Sequence, residues 1–132
     1  MRNEMDFTAL GLLILRFGLG LTMAMRHGLP KLLDFSHKMH NFPDPLHIGS
    51  TLSLSLTITA ELFCAVLIAI GLFTRVAAVP LIIVMAVAFF MVHNGSYFKV
   101  KELTLLYLLG FSALFCAGAG AFSVDTIFRR VK

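Results

Sequence analysis

The chain has 132 residues, 58% of them apolar and only 14% charged, with a mean hydropathy of +0.89. A soluble domain carries about 25% charged and 45–50% apolar residues, and a short soluble chain exposes too much surface to hide such an excess in one core. That arithmetic excludes a disordered chain and a disulfide-stapled mini-protein, argues against a soluble globular domain, and makes lipid the natural solvent. Net charge is +4, but the basic residues form no dense tract, so no nucleic-acid partner is expected. The length suits one domain, 1–132. Arg2 stands against Glu4 and Asp6, and Arg16 interrupts the first apolar run. That is a poor signal peptide, and the first segment is expected to stay.

Four apolar stretches follow one another, at about 7–25, 51–73, 76–92 and 102–117. Each is near the ~20 residues that cross a ~30 Å hydrocarbon core. The expected fold is all-α, an integral membrane four-helix bundle running up-down-up-down. Between the first two spans, Pro30 is placed to open a short helix. Leu29, Leu32, Leu33 and Phe35 give it an apolar side, and Lys31, Asp34, His37 and Lys38 a polar one. This pattern fits a short interfacial helix, ended by Pro43 and Pro45.

The second span opens on TLSLSLTIT, Thr51 to Thr59, which alternates with the period of a strand. A lone strand leaves edges that lipid cannot satisfy, whereas hydroxyls in a membrane helix can bond back to their own carbonyls. A helix is therefore expected. The turn at Thr74-Arg75 is short enough to make the second and third spans antiparallel neighbours. Pro80 is expected in the first turn of the third, where proline is tolerated, and Asn94-Gly95 breaks the chain before the fourth. Orientation depends on where Lys and Arg concentrate. Arg2, Arg75, Arg129, Arg130 and Lys132 fall on one face, and Arg26, Lys31, Lys38, Lys99 and Lys101 on the other. The tie is tilted toward cytoplasmic termini only by the compact Arg129-Arg130 cluster.

Two charges lie deep within spans, Arg16 and Glu61, and each costs roughly 2.5–3.5 kcal/mol to place there. Counting helical rise puts Arg16 roughly 14 Å and Glu61 roughly 18 Å below the terminal face, so a direct pair between neighbouring helices is feasible. Such a pair either fixes the register of two helices or serves as a carbonyl clamp or proton-handling carboxylate. His27, Lys31, His93 and Glu102 gather at the opposite boundary, either as a polar site or simply because they meet headgroups. Arg16, Gly20, Met23 and His27 share one helical face, and Gly20 and Ala24 allow close helix approach. The candidates for ligand binding or proton handling are thus Arg16, Glu61, His27, Lys31, His93 and Glu102. No catalytic residue is assigned. His37 and His40 lack further ligands at metal-binding spacing, so no metal is expected. Cys64 and Cys116 differ in depth by roughly 10 Å, too far for a disulfide. Tyr107 lies about 140° around its helix from Glu102, so the two are not expected to serve one site.

The runs LGLLILRFGLGLTMAMRHGLPKL, AELFCAVLIAIGLFTRVAAVPLIIVMAVAFFMVH and KELTLLYLLGFSALFCAGAGAFSVD resemble the DoxX family of small bacterial membrane proteins. The matching positions are Arg16, His27-Gly28, Lys31, Glu61, Gly71-Leu72-Thr74-Arg75, Glu102-Leu103 and Gly118-Gly120-Ser123-Asp125. Asn94-Gly95 departs from a turn that often reads Gly-Gly. The resemblance implies a four-helix protein of the bacterial cytoplasmic membrane, in contact with the bilayer and with membrane or peripheral redox subunits. Because the family name comes from a subunit of a thiosulfate:quinone oxidoreductase, it also implies a redox-associated role with a quinone-like ligand. No flavin, haem or iron–sulfur ligand set accompanies it, so no cofactor is assigned beyond that quinone. A small-solute or proton-coupled transporter and a non-catalytic anchor or assembly factor are the alternatives.

Overall fold

The computed structural model describes residues 7–93, 95 and 97–131, and its regular structure there is entirely helical. Helix α1 runs over Phe7–Leu33, one-turn α2 over Phe35–Lys38, α3 over Ser50–Ile70 and α4 over Thr74–Val92. Helix α5 covers Phe98–Ala117 and α6 Val124–Val131. By length and composition α1, α3 and α4 can each cross a membrane. Helix α5, of 20 residues, adds Lys99, Lys101 and Glu102 to its first turns.

The first helix is longer than its apolar run suggests. It continues through Pro30 because a π-helical turn, Ala24–Gly28, shifts the hydrogen-bond ladder just before the proline. Leu29 N–H bonds Ala24 O, and Pro30 then sits at the start of the next α-helical turn, where its missing donor costs least. The stretch around Pro30 is thus the end of α1 rather than a separate interfacial helix, and only α2 lies beyond it. Two more π turns occur, at Thr59–Cys64 in α3 and Ala88–Val92 in α4. Such turns widen a helix and are frequent at functional sites.

The strand-like Thr51–Thr59 is helical. Its hydroxyls return to the preceding turn, from Ser55 to Thr51 O at 2.8 Å, Thr57 to Ser53 O at 2.8 Å and Thr59 to Ser55 O at 2.9 Å. Pro80 lies in the interior of α4, not in its first turn. Ahead of α3, the Asp44 carboxylate accepts from Ile48 N at 3.0 Å, Gly49 N at 2.7 Å and Ser53 Oγ at 2.8 Å. These bonds fold segment 39–49 back onto the helix bundle.

Small residues set the α1–α3 seam. A Cβ on Gly20 would meet Ala65 O at 2.5 Å, and one on Gly28 would meet Glu61 O at 2.7 Å. The two backbones therefore touch at both places, as small-residue faces permit in lipid. The core is apolar, built on Met23, Leu54, Ile68, Leu81, Phe111 and Leu114. Large apolar side chains such as Ile14, Phe63, Val76 and Phe90 point outward. This inside-out surface suits a hydrocarbon solvent.

Candidate functional site

The polar residues of the spans divide into two centres. At the terminal end, Arg16 is 1% exposed, and its guanidinium is surrounded by backbone carbonyls. Nε donates to Ala119 O at 3.2 Å, Nη1 to Ala69 O at 2.9 Å and to Ile68 O at 3.4 Å, and Nη2 to Phe122 O. Ile68 and Ala69 lie in the last turn of α3, where carbonyls lack helical partners and the dipole favours a cation. Around Arg16 the chain turns tightly. Gly71 has φ 80°, and a Cβ there would meet Ser123 Cβ at 2.5 Å and Arg16 Nη1 at 2.7 Å.

The C-terminal tail completes this centre. The Asp125 carboxylate accepts from Phe73 N at 2.8 Å and Thr74 N at 3.2 Å, capping α4, while Asp125 N donates to Gly71 O at 2.9 Å. Arg75 Nη2 bonds Cys116 O at 3.1 Å near the end of α5. The Gly71–Arg75 turn and the Gly118–Asp125 tail, separate motifs in the sequence, are therefore one interlocked structure.

No Arg16–Glu61 contact forms. Arg16 sits level with Ile68 and Ala69, which lie seven or eight residues, roughly 11 Å of helical rise, from Glu61. Glu61 instead accepts from Lys31 Nζ at 2.7 Å, and its side chain is 5% exposed. Lys31 reaches it because α1 continues past Pro30 along α3.

This ion pair belongs to the second centre, a cavity of about 460 Å³. His27, Lys31, Glu61 and His93 all line it, so four of the six sequence candidates meet in one place. Arg16 is sealed at the far end, and Glu102 is exposed and lines neither this cavity nor its neighbour. The phase of α5 explains the latter, since Leu103, Thr104 and Tyr107 form the wall while Glu102 points away. Tyr107, set apart from Glu102 in the sequence, is a site residue in its own right. Its ring meets His27 edge-to-face at 5.4 Å and stacks on Phe111 at 6.0 Å. Segment 39–49 roofs the space with Phe42, Pro43, Leu46 and Ile48; neither these four side chains nor Tyr107 carries a charge that would have marked it.

The cavity is mostly apolar, yet several of its polar atoms are uncommitted. Among the described residues, Glu61 Oε1 accepts no hydrogen bond, and neither the Tyr107 hydroxyl nor the rings of His27 and His93 bond a protein group. Its size falls within the ~300–1,000 Å³ of small-molecule sites, and an apolar wall with a few convergent polar groups is the usual construction of such sites. At the boundary, Asp44 is held below the usual carboxylate range by the Ser53 hydroxyl first, and also by the Gly49 and Ile48 amides, with desolvation opposing. His37 pairs with Asp34 at 2.7 Å on the exposed side, away from the cavity.

The DoxX family model matches residues 11–94, which include both centres apart from the tail and α5. The chain is 30% identical over 132 residues to an uncharacterized protein of Haemophilus influenzae, covering 94% of this chain and 87% of that one. A second uncharacterized protein of the same organism is 34% identical over 113 residues, covering 80% and 82%. No solved structure matches. With a family model across more than half of its length, a relative matched nearly end to end and helices apolar enough for lipid, this chain belongs to the DoxX family of membrane proteins.

Proposed function

We propose that this protein is the membrane subunit of a redox system and holds a quinone-like molecule in the cavity between α1, α3, α4 and α5. The observation that carries the reading is the placing of Lys31, Glu61, His27 and Tyr107 on one largely apolar wall. Lys31 Nζ can donate to a ligand carbonyl oxygen while it stays bonded to Glu61, a charge-assisted geometry strong in a dry site. Glu61 Oε1 can accept from the hydroxyl of the reduced form. His27 and His93 can donate or accept through their ring nitrogens, linking the ligand to the roofed mouth. Electrons come from or go to a partner subunit.

In this reading the chain is a four-span, up-down-up-down bundle of the bacterial cytoplasmic membrane, with α2 at the interface and the cavity toward the face opposite the termini. The compact Arg129-Arg130 cluster puts the termini on the cytoplasmic side in this reading. A through-path for a transported solute is less well supported, because Arg16 and its carbonyl partners occupy the other end. A packing role suits Arg16 itself but leaves the cavity unexplained.

The test is binding of a methoxy-substituted benzoquinone to the purified protein in nanodiscs, measured by calorimetry. Saturable binding that weakens at least about tenfold in Glu61→Gln and in Lys31→Met, each still folded, is expected from loss of a charged hydrogen bond. Absence of saturable binding to the unsubstituted protein would overturn the reading.

A further inference from the structure

We infer that the ligand carries an apolar chain, and that this chain lies in a second groove between α1 and α5, open to the bilayer. The inference rests on the ligand-binding reading above and adds the class of molecule and its route. The groove, about 420 Å³, is bounded by Ile14, Gly18 and Thr22 of α1 and by Leu106 of α5. Leu103 and Tyr107 line both the groove and the cavity. Tyr107 is therefore the partition between them, with His27 against its ring.

The seam between α1 and α5 is closed on one side of α1 and open on the adjoining side. At Gly110 an added Cβ would meet Leu19 Cδ1 at 2.4 Å, so the helices touch there. Gly18, the residue before Leu19 and about 100° around α1 from it, also lines the groove, and an added Cβ there would meet nothing within 4 Å, so the groove is open on that side. Ile14 and Leu106 on its walls are 65% and 55% exposed and would face hydrocarbon. From Ile14 to Thr22 the groove follows α1 for roughly 12 Å, the length of a short alkyl chain. A headgroup fixed at Lys31 and Glu61 can thus extend its chain past Tyr107 along the groove, and exchange with the bilayer sideways rather than through water.

Lipid is as apolar as the groove, so no hydrophobic force draws a chain into it. Selectivity must come from shape and from the tether to the headgroup. Filling the groove is therefore a sharper test than lengthening the chain. Two ligands are compared in nanodiscs, a methoxy-substituted benzoquinone and the same ring bearing a decyl chain, against unsubstituted protein, Gly18→Phe and Leu106→Phe. Thermal unfolding checks that each variant is folded, and the two substitutions approach the groove from opposite walls.

The expected result is that affinity for the decyl compound falls on the order of tenfold in at least one folded variant, as overpacking would give, while the chainless ring binds unchanged. Equal loss for both compounds, or loss for neither, overturns the groove and leaves the cavity reading standing. Loss of a co-purified lipid from Gly18→Phe, with no discrimination between the two rings, assigns the groove to bilayer lipid and also overturns it. Failure of either ring to bind the unsubstituted protein removes the cavity reading, and this inference with it.

Discussion

Arg16→Met separates a structural role from a ligand-binding one. The guanidinium makes three firm donations, to Ala69, Ala119 and Phe122, and a long one of 3.4 Å to Ile68. Hydrogen bonds from a charged donor contribute about 1.5–3 kcal/mol each, so the three firm ones sum to at least about 4.5 kcal/mol. Releasing the guanidinium from its buried site offsets part of that sum. A net loss of about 3 kcal/mol is expected, because methionine fills the volume and leaves the carbonyls without donors. At roughly 3–5 °C per kcal/mol for a chain of this size, Tm falls by about 10 °C. Thermal unfolding in detergent reads the loss, and benzoquinone binding by the folded fraction reads the site. Stability should fall while affinity stays within about twofold. An unchanged Tm together with lost binding would refute the reasoning, since it would place the guanidinium at the ligand.

Further outcomes follow from the same contacts. Gly71→Ala adds a Cβ against Ser123 and Arg16 at φ 80°, whereas Gly49→Ala meets nothing at φ 104°. Unfolding midpoints should show the first costing at least about 3 kcal/mol and the second only the backbone term of about 1 kcal/mol. Gly20→Val drives a side chain into Ala65 O and Ala69 N, while Gly18→Val enters open space, so only the former should lower the yield of folded protein on size exclusion. Asp125→Ala removes the acceptor of Phe73 N and Thr74 N, and loss of that cap should cost about 1 kcal/mol by thermal unfolding. Asp44 has a folded pKa below its usual value near 3.8. Its contribution is therefore present above that value and lost as pH falls through the lower folded one. Hydrogen exchange should show the Ile48 and Gly49 amides still protected at pH 3.8 and losing protection only as pH falls further, and Asp44→Ala should lack that protection at every pH.

Composition carried the membrane class and the long apolar runs carried the helices, and the hydroxyl-rich Thr51–Thr59 was readable once lipid was accepted as solvent. The members of the site were partly legible too, because charge and imidazole stand out in apolar sequence; His27, Lys31, Glu61 and His93 were all visible that way. Their pairing was not. Counting residues gives depth within one helix but not the offset between helices, and the π turns at Ala24–Gly28 and Thr59–Cys64 shift the helical phase in a way no periodicity reveals. By residue count Lys31 lies beyond the first apolar span, yet the continuation of α1 through Pro30 brings it to Glu61. The partners of Arg16 were invisible for a different reason. Backbone carbonyls carry no sequence signature, so an arginine satisfied by Ile68, Ala69, Ala119 and Phe122 looks like one in search of a carboxylate.

The touching backbones at Gly20 and Gly28 bear on what the cavity can accept. With Ala65 and Glu61 so close, α1 and α3 cannot slide or separate without breaking contacts on both sides of the seam. Lys31 and Glu61 both ride on that fixed pair of helices. The roof, α4 and α5 supply the remaining walls largely as side chains, which can change rotamer or shift with their own elements. Recognition would then be strict toward the oxygen-bearing end of a ligand and tolerant toward the substituents on the rest of it.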